Sequence, residues 1–157
     1  MEFPDPLKLK EEFEKKQINW KDLEPKFREV ISNTNKFPSW EPQTRLANAI
    51  MVAAFLRAQE LKTNQVRKIL DMAREIRLKT QRGEDIGEDL IRMRFMLAYI
   101  VGKAHGKDRY ALEAFYKVLE PMLRLLTENP SAKVFGGFYE FLEAVIAYHR
   151  FFGGREK

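Results

Sequence analysis

The chain has 157 residues, 45% hydrophobic and 12% aromatic, enough for one folded domain with a real core, which excludes a disordered chain. It has no cysteine, so a disulfide framework and a thiolate metal site are excluded and a reducing cytoplasm is the expected compartment. The net charge of +5 is concentrated: Lys62 to Arg82 holds seven basic and two acidic residues, leaving 21 of each sign elsewhere.

In chain order, the pattern is helical throughout. The opening residues lack the apolar stretch of a leader, and no run of about 18 apolar residues occurs, so a soluble protein with no membrane role is expected. Pro4 and Pro6 precede a charged, weakly amphipathic segment from Leu7 to Lys16, and Trp20, Leu23, Phe27, Val30 and Ile31 then repeat at helical spacing. This N-terminal part is expected to pack loosely. Asn33, Thr34, Asn35 and Pro38 break the chain, and Ser39 is placed to cap a long helix through Leu46, Ile50, Ala53, Ala54 and Leu61, with Pro42 in its first turn.

The basic segment reads as an amphipathic helix that Thr63 can cap, with Val66, Ile69, Leu70, Ala73 and Ile76 along one side. Arg67 and Arg74, seven apart, stack on one flank. Asp71 can support Lys68 or Arg74, and Glu75 can support Lys79. The junction with the preceding helix is either a tight bend or nearly continuous. After Gly83 and Gly87, the stretch from Met93 to Val101 is apolar nearly all round apart from Arg94, which predicts the central buried helix. Arg94 either snorkels its head to the surface or reaches a phosphate. Asp108 can cap the next helix, whose core face runs through Tyr110, Ala114, Phe115, Val118, Met122, Leu125 and Leu126, with Pro121 expected to kink it. Ser131 caps the last helix, which carries Phe135, Phe138, Phe141, Leu142, Val145 and Phe152.

There is no period-two alternation and no hairpin dipeptide, so the expected fold is all-α. The expectation is a compact bundle of about five main helices (residues 38–157) with an N-terminal helical extension (residues 1–37), one domain overall.

Catalytic constellations fail. His105 and His149 lack the spacings that put two ligands on one helix face, so no metal is expected. His149 lies among Phe138, Leu142 and Val145 and reads as a hydrogen-bonded core or interface histidine, whereas His105 lies in a glycine-flanked turn and reads as exposed. Ser32, Ser39 and Ser131 are turn or cap residues, and no phosphate cradle occurs. Gly136 and Gly137 suggest close packing against the backbone, and Gly153 and Gly154 a helix end. No enzyme activity and no cofactor are expected.

What remains is the basic helix. A solvated face explains isolated charge pairs, but concentrated charge suits a polyanion: nucleic acid first, an anionic membrane second. The membrane reading is weakened by Asp71 and Glu75 on the polar face and by the absence of Trp or Phe from the apolar one. A free-standing DNA reader lacks the preceding short helix of a helix-turn-helix. The alternative kept open is a free-standing helical nucleic-acid-binding or protein-interaction scaffold.

The last helix carries a resemblance. FYEFLEAVIAYHRFFGGR, from Phe138 to Arg155, resembles the C-terminal block of the small subunit of type III-A (Csm) CRISPR effector complexes: Glu-Ala, two apolar residues, Ala-Tyr-His, a basic residue, two aromatics, Gly-Gly and a basic residue. LKTNQVRKIL from Leu61 and RMRFMLAYIVGK from Arg92 resemble two further blocks of that family. The resemblance begins near Leu61, and residues 1–37 are longer than the family's usual N-terminus. It implies a noncatalytic RNA-binding subunit of an antiviral ribonucleoprotein, stacked in several copies along crRNA and target RNA beside other Csm subunits. Self-association is expected as stacked copies, and exposed aromatics near the C-terminus leave a homodimer of the isolated chain open. By this resemblance Arg67 is the leading RNA contact, with Lys62, Lys68, Arg74 and Arg94 following and Arg150 and Arg155 at the basic positions of the C-terminal block. Tyr148 and His149 are as suited to a helix interface as to RNA.

Overall fold

In the computed structural model, which describes residues 4–157, seven α-helices and two short 3-10 segments account for the ordered elements, and no strand occurs among the described residues. Residues 1–3, part of the expected extension, lie outside the described residues. The helices are α1 (Pro6–Glu14), α2 (Trp20–Ser32), α3 (Pro42–Ala58), α4 (Arg67–Gln81), α5 (Gly87–Gly102), α6 (Asp108–Glu128) and α7 (Ala132–Phe151). The all-α bundle of five main helices preceded by N-terminal helices is therefore what the chain forms.

The centre of the bundle is α3, in which every residue from Ala47 to Leu56 is buried. Four alanines in that run let α2 and α7 approach closely on different sides, so a helix with no polar face is covered all round. The expected central helix, α5, is instead amphipathic in practice. It buries Leu90, Met93, Leu97 and Ile100 against α4 and α6. Ile91, Phe95 and Tyr99 recur every four residues on its outer side, and Phe95 is 69% exposed. An apolar sequence made α5 look central, but burial requires neighbours, and none covers that side.

The N-terminal helices pack closely rather than loosely. Asp5 accepts from the Leu7 and Lys8 N–H groups to cap α1, and Asn19 and Asp22 form a reciprocal capping box on α2. Phe27 of α2 stacks on Phe55 of α3 with ring centroids 4.0 Å apart and planes 8° from parallel. Phe13 of α1 meets Phe152 at 5.6 Å and lies beneath the Arg57 guanidinium at 5.2 Å. Thus α1 braces the end of α7 in three dimensions.

Three expected caps are replaced. Ser39 ends the 3-10 segment Thr34–Ser39 and donates to the Lys36 carbonyl, while Glu41 occupies the cap of α3 and Pro42 its first turn. Thr63 is buried and opens the 3-10 segment Thr63–Val66, which precedes α4. Asp108 lies in the first turn of α6, after Lys107, and makes no capping bond. Ser131 does cap α7, its Oγ accepting from the Val134 N–H at 3.2 Å. Tyr110 is exposed, not core, and the link between α3 and α4 is a tight bend in which Glu60 takes a left-handed φ of 64°.

Candidate nucleic-acid interface

After α7 the chain must turn back sharply, and two glycines allow it. Gly153 has φ +90°, a conformation that costs other residues steric energy. Gly154 lies directly on the His149 ring, so that a Cβ there would fall inside the imidazole's van der Waals envelope. The His149 ring is fully buried, and its Nε2 lies 2.8 Å from the Leu61 carbonyl oxygen. Because a carbonyl can only accept, Nε2 carries the proton and donates, and Nδ1 is left buried without a partner. Burial pulls the His149 pKa below the ordinary imidazole range; the Leu61 bond opposes this and the positive charges of Arg57 and Arg150 add to it. The ring is thus a neutral tie between α7 and the α3–α4 bend, as expected of a core histidine.

That tie aligns the C-terminal tail with the start of the basic segment. Thr63 N–H donates to the Arg155 carbonyl at 3.0 Å and Asn64 N–H to the Glu156 carbonyl at 2.9 Å, forming a short parallel bridge between Lys62 and Arg155. Beneath the bridge is a cleft of about 220 Å³ lined by Arg57, Lys62, Lys107 and Arg155, with Glu60 and Asp108 as its carboxylates. Four cations therefore face two acids. Arg57 is fixed by donating from Nε to the Phe152 carbonyl at 2.9 Å. Burial pulls its pKa down from the usual arginine value, with Glu60 opposing and Arg155 adding to the effect. Lys62 Nζ lies 3.7 Å from Asp108.

The other expected RNA contacts lie on α4, α7 and α5. Arg67 opens α4 beside the tail, largely exposed, with only a 4.0 Å approach to Glu156. Lys68 and Arg74 continue along α4 on its solvent side, Arg74 held loosely by Asp71 at 3.4 Å. Arg150 is exposed at the end of α7. Arg94 is placed differently, neither snorkelling freely nor facing the cleft. Its Nη2 lies 2.6 Å from Oε1 of Glu120 in α6, a residue only 8% exposed, so its charge is already matched. Lys79 pairs with Asp89 at 3.0 Å, not with Glu75.

The structure thus brings Lys62, Arg67 and Arg155 together, with Lys68 and Arg74 extending the surface. Arg57 and Lys107 are additions that sequence reasoning missed. They come from the end of α3 and the start of α6, and no local spacing connects them; the Gly153-Gly154 pair was the one visible sign that the chain folds back there. No group of three or more His, Asp or Glu side chains suited to a metal occurs among the described residues. No described helix is long and apolar enough to cross a membrane. In comparison with known families, residues 41–155 match the model of Csm2 Type III-A. No curated protein matches the chain.

Proposed function

The chain belongs to the Csm2 Type III-A family and is accordingly a subunit of a type III-A CRISPR complex; from that premise we propose that it holds RNA by its phosphates, without catalysis and without reading bases. The observation that carries this reading is the cleft in which Arg57, Lys62, Lys107 and Arg155 converge, continued along α4 by Arg67, Lys68 and Arg74. Guanidinium and ammonium groups release counterions when they neutralise phosphates, which gives affinity that falls steeply with salt and ignores sequence. In a guided complex base pairing supplies specificity, so a subunit that reads only backbone charge serves every guide.

In this reading the RNA is crRNA with its target, the partners are other Csm subunits and further copies of this chain, and the setting is cytoplasmic antiviral defence. Each copy can bind weakly, because stacked copies on one strand add their contacts. Arg67, Lys62 and Arg155 are the principal contacts, Lys68, Arg74 and Arg150 flank them, and Arg94 joins only where RNA displaces Glu120. The test is fluorescence anisotropy with two labelled single-stranded RNAs of unrelated sequence at rising salt. Equal affinities that fall together with salt support the reading, and a strong preference for one sequence overturns it.

A further inference from the structure

A second groove lies at the other end of the α4–α7 packing, among residues that the phosphate-binding surface does not use. It has a volume of about 530 Å³, within the range of about 300–1,000 Å³ typical of small-ligand clefts, and lies between the 3-10 segment Thr34–Ser39, α3, α4 and the start of α7. Part of its lining is bare backbone: Gly136 and Gly137 stand side by side in α7, although adjacent glycines weaken a helix. Their absent side chains make room for two arginines. A Cβ on Gly136 would lie 2.9 Å from Nη1 of Arg77, and one on Gly137 would lie 3.2 Å from Nη1 of Arg45.

The charges around the groove are uneven. Arg45 is neutralised by Glu140 at 2.7 Å. Arg77 lies over the Tyr139 ring at 5.8 Å, and neither it nor exposed Lys133 has an ion-pair partner among the described residues. The apolar side is provided by half-buried Trp40, whose ring is held by an edge-on contact with Phe37 at 6.4 Å and a tilted contact with Phe141 at 5.8 Å. Unpaired cations beside a fixed aromatic are the combination that holds single-stranded nucleic acid, the cations taking phosphate and the ring taking a base. Arg67, Arg74 and Arg77 follow one another at spacings of seven and three along one side of α4. Arg67 and Arg77 are thus about 15 Å apart along the helix axis, within reach of one short strand.

We propose that this groove seats one unpaired nucleotide, its phosphate between Arg77 and Lys133 and its base against Trp40. The inference rests on the RNA-binding reading and extends it to a specific seat. The chain has two tryptophans, so Trp20→Phe leaves Trp40 as the sole reporter. The full chain carrying this change is titrated with fluorescein-labelled hexauridylate for anisotropy and with the unlabelled hexamer for tryptophan emission. The expected result is quenching of Trp40 that saturates with binding. Arg77→Ala should remove the quenching and lower the salt slope by about 0.7, the value of one phosphate on a single strand. Gly136→Ala, which pushes the guanidinium aside, should also remove the quenching, and circular dichroism of both variants shows that the bundle is intact. Binding by anisotropy with unchanged Trp40 emission would overturn the inference and leave the reading of the tail cleft standing. Absence of RNA binding would overturn both.

Discussion

Gly154→Ala should do damage out of proportion to one methyl group. The new Cβ would enter the space of the His149 ring, which cannot retreat because it is fully buried and tied to the Leu61 carbonyl. Overpacking of this kind costs about 1–3 kcal/mol. Relief by lifting the tail would break the Thr63 and Asn64 bonds to Arg155 and Glu156, at about 1 kcal/mol each. A total of about 3 kcal/mol, at roughly 2–4 °C per kcal/mol for a chain of this size, lowers the melting temperature by about 10 °C. Thermal and urea unfolding followed by circular dichroism measure it. His149→Ala empties the space into which the methyl would intrude, so the double variant should be little less stable than His149→Ala alone. A Gly154→Ala protein melting within 2 °C of the parent, or costs that simply add, would refute the claim that the tail is locked by this contact.

Three further outcomes follow from the same contacts. The unfolded chain takes up a proton on His149 below about pH 6.5, which the buried ring resists, so stability should be full above that pH and fall as the pH drops below it; the fall should shrink in His149→Gln and persist in His105→Gln, as read from melting curves between pH 8 and pH 5. Arg94→Ala should cost about 1–2 kcal/mol in urea unfolding, because it leaves the buried Glu120 carboxylate with only Arg124 at 3.9 Å, whereas exposed Arg67→Ala should change stability by less than about 0.5 kcal/mol. On α5, Phe95→Ser should leave the melting temperature within about 2 °C of the parent, while Phe135→Ala, which empties a fully buried site, should cost about 3–5 kcal/mol.

The parts of the fold legible in the sequence were those set by local chemistry. Helical spacing identified the elements, Ser131 was a true cap, Pro42 sat in a first turn, and His149 among Phe138, Leu142 and Val145 was indeed a core histidine. What was not legible depended on contacts between distant segments. The apolar run of α5 could not show that nothing covers Phe95 and Tyr99, and the alanine-rich run of α3 gave little hint that it would be surrounded. Thr63, Ser39 and Asp108 have cap chemistry, but 3-10 turns and the paired tail use those positions otherwise. Of the cationic surface, the α4 residues were visible as a charged run, whereas Arg57 and Lys107 join it only because the bundle closes.

The most direct test of the account concerns the cleft beneath the tail. Lys62→Ala combined with Arg155→Ala removes two of its four cations while leaving the backbone bridge able to form. Anisotropy with a labelled single-stranded RNA, measured from low to moderate salt, should show weaker binding and a logarithmic salt slope reduced by about 1.4, two phosphate contacts at 0.7 each. An unchanged affinity and slope in a folded double variant would contradict the account by showing that RNA does not occupy the cleft.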